Sequence, residues 1–305
     1  MAPQTLVTCY INPDIDGFAC AVAYSELLQH QSQAAVPGIF GSVHDEAKFI
    51  MDHFRFPFPQ DQDVKSFERV ILVDASTCSG IHPHIQPQQV VEIIDHRQAH
   101  EAEKFPHARI QIEKVGAAAT LVAERFHAYH IEPSPMACAL LYAAIVSNTL
   151  QFKAKVTTPR DHAMAEWLSK KVPGAHELMR EMFIAKSDVS GKKLESRMAG
   201  EFAEFKLGKI TMGIVQLEVL EARALAEDRK QDILAELAKL KTQHQLDCIV
   251  VSILGLDEDV NVFLSADEQA QSMLEKVLDI SFTEGVAARP GLIMRKEIVP
   301  LLKNI

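Results

Sequence analysis

Residues 12–17, with the sequence Asn-Pro-Asp-Ile-Asp-Gly, stand where one hydrophobic pattern gives way to another. The apolar run Leu6–Ile11 before them is typical of a buried strand, and the Ala-rich run Phe18–Leu28 after them is typical of a helix. Asp14 and Asp16 are therefore close together at a strand-to-helix turn. Like charges at this separation repel unless a proton or a cation lies between them, and divalent metals prefer such oxygen ligands. Taken alone, the hexapeptide is more often a helix cap.

Two further strand-like runs end in residues that can bind a metal. Arg69–Val73 leads into Asp74, and Val90–Ile94 leads into residues 95–97, Asp-His-Arg. In a parallel α/β sheet the carboxyl ends of the strands share one edge, where such folds bind their ligands. Asp74 could simply cap a turn, and the histidine could be an ordinary loop residue. Three strand ends with acidic or imidazole groups nevertheless favour a metal site.

The composition is that of a globular protein with an acidic balance. The chain has 305 residues, of which 48% are hydrophobic and 24% charged, and this length is enough for two domains. The net charge of -10 argues against sequence-independent nucleic-acid binding, because phosphate contacts need clustered Lys and Arg. No apolar run reaches the roughly 18 residues of a membrane span, and the first residues lack a secretory signal pattern. The five scattered cysteines form no C-x-x-C pair, which favours a reducing compartment. Together these observations lead us to expect a cytoplasmic protein without membrane or nucleic-acid partners.

Strand and helix patterns alternate through the first 185 residues, which predicts a mainly parallel sheet flanked by helices. The predicted strands are Leu6–Ile11, Ala35–Phe40, Arg69–Val73, Val90–Ile94 and Ala108–Ile112. The predicted helices are Phe18–Leu28, Glu46–Phe54, Ala117–His127, Met136–Val146 and Pro159–Lys171.

A short polar stretch at residues 187–193 interrupts this alternation, and we interpret it as a linker. It separates a predicted domain at 1–186 from a smaller α/β domain at 194–305. The smaller domain is predicted to contain strands Ile210–Val215, Cys248–Leu254 and Val260–Leu264, helices near Ala222–Thr242 and Asp267–Leu278, and a C-terminal tail rich in Pro and Lys.

Three later stretches follow the strand ends in a fixed order: Val115-Gly116 with Ala119-Thr120, residues 147–152, and residues 157–161. Together with residues 12–16, 73–74 and 95–97, they resemble the motifs of the DHH phosphoesterase superfamily, and most closely those of the family II (manganese-dependent) inorganic pyrophosphatases. Residues 213–218 and 291–300 resemble that family's second domain. The resemblance implies an N-terminal DHH domain, a smaller phosphate-gripping (DHHA2-like) α/β domain and an active-site cleft between them.

The resemblance also implies a chemistry. In that family two divalent metals, bridged by an aspartate, activate water for attack on a phosphoryl group. By position the implied catalytic residues and metal ligands are Asp14, Asp16, Asp74 as the bridge, and His96, with Asn148 as a further metal ligand. The implied phosphate-binding residues are Arg97, Arg295 and Lys296. Mn²⁺ is the expected cofactor, with Mg²⁺ or Co²⁺ possible, and the expected substrate is pyrophosphate, short polyphosphate or a related small phosphorylated compound. A homodimer is plausible by resemblance.

Four positions depart from the family's pattern. Tyr10 stands where the family has a histidine ligand, Asn148 where it has an aspartate, Arg97 where it has its second histidine, and Ala203 where a lysine is common. Tyr10, Asn148 and Ala203 weaken the expected binding of two metals and of pyrophosphate, so we expect reduced activity, whereas Arg97 could hold a phosphate oxygen and does not by itself imply inactivity. The alternative is a catalytically impaired member that acts as a phosphate-ligand binding or regulatory module. Four histidines could in principle replace the missing ligand: His44, His82, His84 and His100.

Overall fold

The computed structural model describes residues 4–97 and 100–304, and its contacts divide the chain into two compact units between Met182 and Phe183. We call them the N-terminal unit and the C-terminal unit. The expected domain at 1–186 includes residues 1–3, and the expected domain at 194–305 includes residue 305. These four residues lie outside the described part of the chain. The expected linker at 187–193 joins a helix at Ala175–Ser187 to one at Lys193–Gly200. The sequence-based domain boundaries stay a prediction.

The described part of the N-terminal unit forms a five-stranded sheet in which every pairing is parallel, with the strand order β2-β1-β3-β4-β5. The strands are β1 Thr5–Thr8, β2 Ala35–Gly38, β3 Arg69–Val73, β4 Val90–Asp95 and β5 Arg109–Ile112. The helices are α1 Ile15–His30, α2 Asp45–Phe54, α3 Ala118–Ala128, α4 Pro135–Asn148, α5 Pro159–Ser169 and α6 Ala175–Ser187, the last of which runs across the division. The parallel sheet flanked by helices is confirmed.

The central strands of this sheet read as continuous apolar runs because both of their faces are covered. Leu6 in β1 and Leu72 in β3 are fully buried. The predicted strand Leu6–Ile11 is wrong at its end, since β1 stops at Thr8. Beyond it the amides of Ile11 and Asn12 bond to the carbonyls of Gly80 and Phe40, so these residues belong to loop contacts and not to a strand ladder.

Helix α1 begins at Ile15, three residues before the predicted start, and packs against α3 and α4. Small side chains such as Ala19, Ala23 and Ala143 are fully buried at these contacts and allow the helices to approach closely. The helices are therefore buried on most of their surface, and the N-terminus of α1 is held next to the carboxyl ends of β1 and β3.

The C-terminal unit contains a second five-stranded sheet in its described residues, with the order β10-β9-β8-β7-β6. Only the pairing of β7 with β8 is parallel among these strands. The strands are β6 Phe202–Leu207, β7 Ile210–Val219, β8 Cys248–Gly255, β9 Val260–Leu264 and β10 Val286–Pro290. The helices are α7 Lys193–Gly200, α8 Ala222–Asp228, α9 Lys230–Gln243, α10 Glu268–Leu278 and α11 Arg295–Leu302.

Side chains of β8 alternate between two hydrophobic cores, one on each face of this sheet. Val251 and Ile253 belong to one core, and Cys248 and Val250 to the other. The single helix predicted near Ala222–Thr242 is wrong, because Arg229 leaves the helical backbone (φ -115°, ψ 18°) and separates α8 from α9. The sequence analysis also missed α6, α7, β6, β10 and α11.

The five cysteines are unpaired, and all but Cys78 are buried. None of the helices in the described residues combines the length and the apolar character that crossing a membrane requires.

Candidate metal centre

Asp14 and Asp16 have different roles at the start of α1. The Asp14 carboxylate caps the helix, since its Oδ1 accepts hydrogen bonds from the amides of Asp16 and Gly17 at 3.0 Å each. Asp16 lies in the first turn and is fully buried. The helix-cap interpretation of the hexapeptide is therefore right for one oxygen of Asp14, and the expected role of Asp14 as a metal ligand stays a prediction.

The N-terminus of α3 holds the Asp16 carboxylate. The amides of Ala118 and Ala119 donate to Asp16 Oδ2 and Oδ1 at 2.8 Å each. The N-cap residue Ala117 has no side-chain oxygen of its own, so a carboxylate from a distant helix satisfies these amides. The partial positive charge of a helix N-terminus also favours an anion there.

Asp74 follows β3 in a left-handed backbone conformation, with φ of 49°. Its amide donates to the carbonyl of Ile94 at 2.8 Å, and its carboxylate is fully buried. Oδ2 accepts a hydrogen bond from Nη2 of Arg97 at 3.2 Å, whereas Oδ1 has no hydrogen-bond donor among residues 4–97 and 100–304. A buried carboxylate oxygen without a partner is costly, which indicates that it serves a bound group.

His96 directs one ring nitrogen at both aspartates. Its Nδ1 lies 3.0 Å from the carbonyl of Val115, which can only accept, so Nδ1 carries the proton. Nε2 then presents its lone pair 3.5 Å from Asp74 Oδ1 and 3.7 Å from Asp16 Oδ2. Metal-binding histidines are commonly oriented in this way by a carbonyl behind the ring.

Asp16, Asp74 and His96 thus form a compact set of donors, with one ligand atom from each within 4.8 Å of the others. A nitrogen lone pair that faces two carboxylates needs a proton or a cation between them. Two carboxylate oxygens and one imidazole suit Mn²⁺, Mg²⁺ or Co²⁺. The residues present therefore fit a divalent metal.

The pKa values of these carboxyl groups point to the same need for positive charge. Burial, followed by the nearby Asp74, raises the pKa of Asp16 to about 8. Burial also raises the pKa of Asp74, although Arg97 opposes this. Burial acts in the same direction on Asp14, but the Gly17 amide and nearby cationic groups outweigh it and lower its pKa.

Arg97 and Tyr10 form a pair beside this cluster. The guanidinium carbon of Arg97 lies 4.8 Å from the centre of the Tyr10 ring, a cation–π distance, while Nη2 is bound to Asp74. The Tyr10 hydroxyl acts on the Asp14 carboxylate as a hydrogen-bond donor and helps to lower its pKa. The Arg97 side chain as a whole is 37% exposed.

Asn148, the last residue of α4, contacts the cluster through its amide nitrogen. Nδ2 donates to Asp16 Oδ2 at 2.7 Å. An amide nitrogen is not a metal ligand, so Asn148 could ligate only after a flip that presents its carbonyl oxygen. Its role as a ligand stays a proposal.

Two aspartates that the site prediction omitted shape the loops around it. Asp95 Oδ1 accepts from the amides of His96 (2.7 Å) and Arg97 (3.2 Å), and Oδ2 accepts from the Ser76 hydroxyl. Asp161 accepts from the Gly116 amide at 2.9 and 3.0 Å, and it also accepts from side-chain hydroxyls. The sequence carried a signal for Asp161, namely the capping-box pattern at residues 158–161. This pattern predicts that the carboxylate accepts a hydrogen bond from the backbone at the start of the helix.

The predicted phosphate-binding residues Arg295 and Lys296 belong to the C-terminal unit, at the start of α11. Nη1 of Arg295 donates to the carbonyls of Glu201 (2.5 Å) and Ile214 (3.1 Å), and Lys296 is exposed. Burial lowers the pKa of Arg295 from its usual value. Ala203, where a lysine was expected, pairs with Ile214 in the sheet.

The four alternative histidines do not join the donor cluster that the described residues form. The rings of His82 and His84 contact each other at a tilt of 59°, with ring centres 5.2 Å apart, and burial lowers the pKa of His82. His100 Nδ1 accepts from the Ala102 amide at 3.4 Å. His44 lies near Asp14 and helps to lower the pKa of that carboxyl group.

Comparisons with known proteins show which family the chain is similar to. Residues 4–145 match the family model "DHH family, N-terminal domain", and residues 180–305 match "DHHA2 domain". A manganese-dependent inorganic pyrophosphatase of Methanothrix thermoacetophila is 28% identical over 308 residues, which cover 100% of this chain and 99% of that protein. A protein of the same name from Bacillus subtilis is 27% identical and covers 99% of this chain, with 98% of its own length matched.

Solved structures show the same fold. "Crystal structure of Methanococcus jannaschii putative family II inorganic pyrophosphatase" has a TM-score of 0.81 and 26% identity, with 99% of each chain covered. An exopolyphosphatase-related protein from Bacteroides fragilis, at a TM-score of 0.52 and 12% identity, covers 99% of this chain and 91% of its own and shares the fold alone. Since the two family models together span most of the chain, this protein is a member of the DHH family in which a DHHA2 domain follows the DHH domain.

Proposed function

We propose that this protein is a divalent-metal-dependent phosphohydrolase that acts on pyrophosphate, short polyphosphate or a related small phosphorylated compound. The observation that carries the proposal is the convergence of Asp16, Asp74 and His96, with an unpartnered carboxylate oxygen and an imidazole lone pair directed at the same space. Relatives along the whole chain are named manganese-dependent inorganic pyrophosphatases, which makes Mn²⁺ the favoured metal.

Asp16, Asp74 and His96 would hold the metal. When bound, a divalent cation lowers the pKa of water and stabilises charge on phosphoryl oxygens. The amides of Ala118 and Ala119 keep the Asp16 carboxylate oriented, and the Val115 carbonyl keeps the His96 lone pair directed inward. These contacts come from backbone groups, so the ligands are positioned before a metal arrives.

The cationic side chains would bind the substrate. Arg97 keeps one Nη on Asp74, and its other N–H groups can donate to a phosphate oxygen. Arg295 and Lys296 supply further positive charge for the phosphates in this proposal. No general base is needed among the side chains if the metal makes water acidic.

The test is phosphate release from pyrophosphate and from short polyphosphates with Mn²⁺, Mg²⁺ or Co²⁺. We expect turnover that falls by at least about a hundredfold in Asp74→Asn, a change of roughly 3 kcal/mol in barrier. Asn is the appropriate replacement because it tolerates the left-handed backbone of position 74, which Ala adopts less readily. Arg69→Ala, an exposed position at the other end of β3, serves as the matched control and should retain full activity.

A second candidate function is a binding or regulatory module that retains the fold without turnover. Two contacts favour it: the amide nitrogen of Asn148 occupies Asp16 Oδ2, and Arg97 occupies Asp74 Oδ2. Wild-type protein that binds Mn²⁺ and pyrophosphate in calorimetry, yet releases no phosphate from any of these substrates, would replace the hydrolase proposal with this one.

A further inference from the structure

The guanidinium of Arg97 is bound to one of the two carboxylate oxygens of Asp74 and places a fixed positive charge there. Its Nη2 contacts Asp74 Oδ2 at 3.2 Å, while Asp74 Oδ1 faces the opposite group, His96 Nε2, at 3.5 Å. The two oxygens of this carboxylate therefore have different partners. One is bound to a guanidinium, and the other remains available to a metal.

Tyr10 holds Arg97 in this place. The ring lies 4.8 Å below the guanidinium carbon, and the Tyr10 hydroxyl is directed at the Asp14 carboxylate. The amides of Arg97 and His96 are bound to Asp95, which fixes the backbone at the base of both side chains. Stacking, an ion pair and backbone hydrogen bonds together restrict the guanidinium to the Asp74 side of the pocket.

We propose that this is a single-metal centre, in which one divalent cation is held by Asp16, Asp74 and His96 and the Arg97 guanidinium takes the place of a second metal ion. This inference rests on the proposed function for the identity of the bound group, but it concerns the number of ions and not the reaction. Arg97 is a positioning residue toward the metal, because it acts through Asp74.

The charges of the pocket fit one ion better than two. Arg97 contacts Asp74 directly and neutralises part of the negative charge that Asp14, Asp16, Asp74 and Asp95 bring to the pocket. A second divalent cation would lie against this guanidinium in a largely buried site, where uncompensated charge is costly.

One oxygen of each neighbouring carboxylate is also engaged by another group. Asp14 Oδ1 caps α1 through two amides, and Asp74 Oδ2 is bound to Arg97. Tyr10 offers a neutral phenol oxygen, a poor ligand compared with an imidazole. Among the described residues, the cluster of three strong donors is the one formed by Asp16, Asp74 and His96.

The test is a count of Mn²⁺ ions. Metal-free wild-type protein is titrated with Mn²⁺ in calorimetry, and the loaded protein is examined by electron paramagnetic resonance. We expect one tight ion per chain and the simple hyperfine pattern of an isolated Mn²⁺. Two tight ions per chain with a spin-coupled spectrum would overturn the inference.

Variants of Arg97 separate a charge effect from a packing effect. Arg97→Ala should bind the first Mn²⁺ at least about tenfold more tightly, since a positive charge a few ångströms from the ion opposes its binding. Arg97→Lys retains the charge and should stay near the wild-type affinity, and Arg69→Ala is the control outside the pocket. Weaker Mn²⁺ binding in Arg97→Ala would show that the side chain only supports the structure.

The double variant Tyr10→His with Arg97→His should gain a second Mn²⁺ and a spin-coupled spectrum, because it removes the fixed cation and adds imidazole donors. Failure of the double variant to gain an ion counts against the inference. The metal count and the phosphate assay are independent: two ions with turnover overturn this inference alone, one ion without turnover overturns the hydrolase proposal alone, and no bound Mn²⁺ overturns both.

Discussion

At the scale of single residues, Asn148 contacts the proposed metal centre through Asp16. Its amide nitrogen donates to Asp16 Oδ2 at 2.7 Å, on the same oxygen that lies 3.7 Å from His96 Nε2. A donor in this place stabilises the Asp16 carboxylate without a metal. An aspartate there would do the reverse, because it would bring a further buried negative charge against Asp16.

We expect Asn148→Asp to change stability in opposite directions with and without metal. Without metal, the free energy of unfolding should fall by about 1–3 kcal/mol, because a buried hydrogen bond is replaced by two facing carboxyl groups. With Mn²⁺ the added carboxylate becomes a ligand, so the rise in Tm on metal addition should exceed that of the wild type. Thermal unfolding with a chelator and with Mn²⁺ measures both effects.

Asn148→Ala is the control for this prediction, since it removes the hydrogen bond without adding charge. It should lose stability in the metal-free form and show no larger Mn²⁺ response than the wild type. An Asn148→Asp variant that matched Asn148→Ala under both conditions would exclude the position from the metal shell.

The N-terminus of α3 carries the site at the scale of secondary structure. The helix offers two amides to Asp16, and the preceding turn at Gly116 is bound to Asp161. A Cβ at Gly116 would lie 2.4 Å from Cγ2 of Thr149 and 3.1 Å from the Asp161 carboxyl group. The glycine is required here by close packing and not by an unusual backbone angle.

Gly116→Ala should therefore destabilise the fold by about 1–3 kcal/mol and shift the start of α3. Because that shift moves the amides that orient Asp16, Mn²⁺ affinity should fall as well. Chemical unfolding and calorimetric titration measure the two effects on the same protein. Unchanged Mn²⁺ affinity in a folded Gly116→Ala variant would separate α3 from the metal site.

Gly200→Ala provides the comparison for this variant. Gly200 is the last residue of α7, and a Cβ there would meet no atom within 4 Å. This substitution should leave both stability and Mn²⁺ affinity close to the wild type.

At the scale of the whole molecule, the buried carboxyl groups should make the metal-free protein less stable as the pH rises. Burial and Asp74 raise the pKa of Asp16 to about 8, well above its value of roughly 4 in an unfolded chain. The folded state therefore binds this proton more tightly than the unfolded chain does. The stabilisation that results from this proton is complete below about pH 4 and is lost as the pH rises toward 8. The raised pKa of Asp74 acts in the same direction, and the lowered pKa of Asp14 acts only at lower pH.

Urea unfolding of the metal-free protein at pH 5, 6, 7 and 8 tests this dependence, with the chosen values spanning roughly the window between the two pKa values. We expect the unfolding free energy to decline across the series and the decline to be shallower in Asp16→Asn. The difference between the two proteins is the informative quantity, because every other titratable group is common to both. Equal slopes in both proteins would contradict the prediction.

The sequence by itself determined the parallel sheet, the two α/β parts, the helix start at Asp14 and the strand ends that carry Asp74 and His96. A continuous run of apolar residues indicates a buried strand from the local sequence alone. The bounds of β3 and β9 were therefore predicted correctly. Less apolar elements escaped notice. The burial of β6 is intermittent, and α7 has only two buried residues, so their stability depends on neighbours that the pattern does not reveal.

Only the tertiary structure decided which contacts each residue of the site makes. Asp14 and Asp16 are equivalent in the sequence, but one caps its own helix and the other receives the amides of α3, more than a hundred residues away. In the same way, the Val115 carbonyl selects the His96 nitrogen that faces the aspartates, and the Tyr10 ring places Arg97 against Asp74. These roles depend on contacts between residues far apart in the chain, and such contacts leave no local pattern for a single sequence to show.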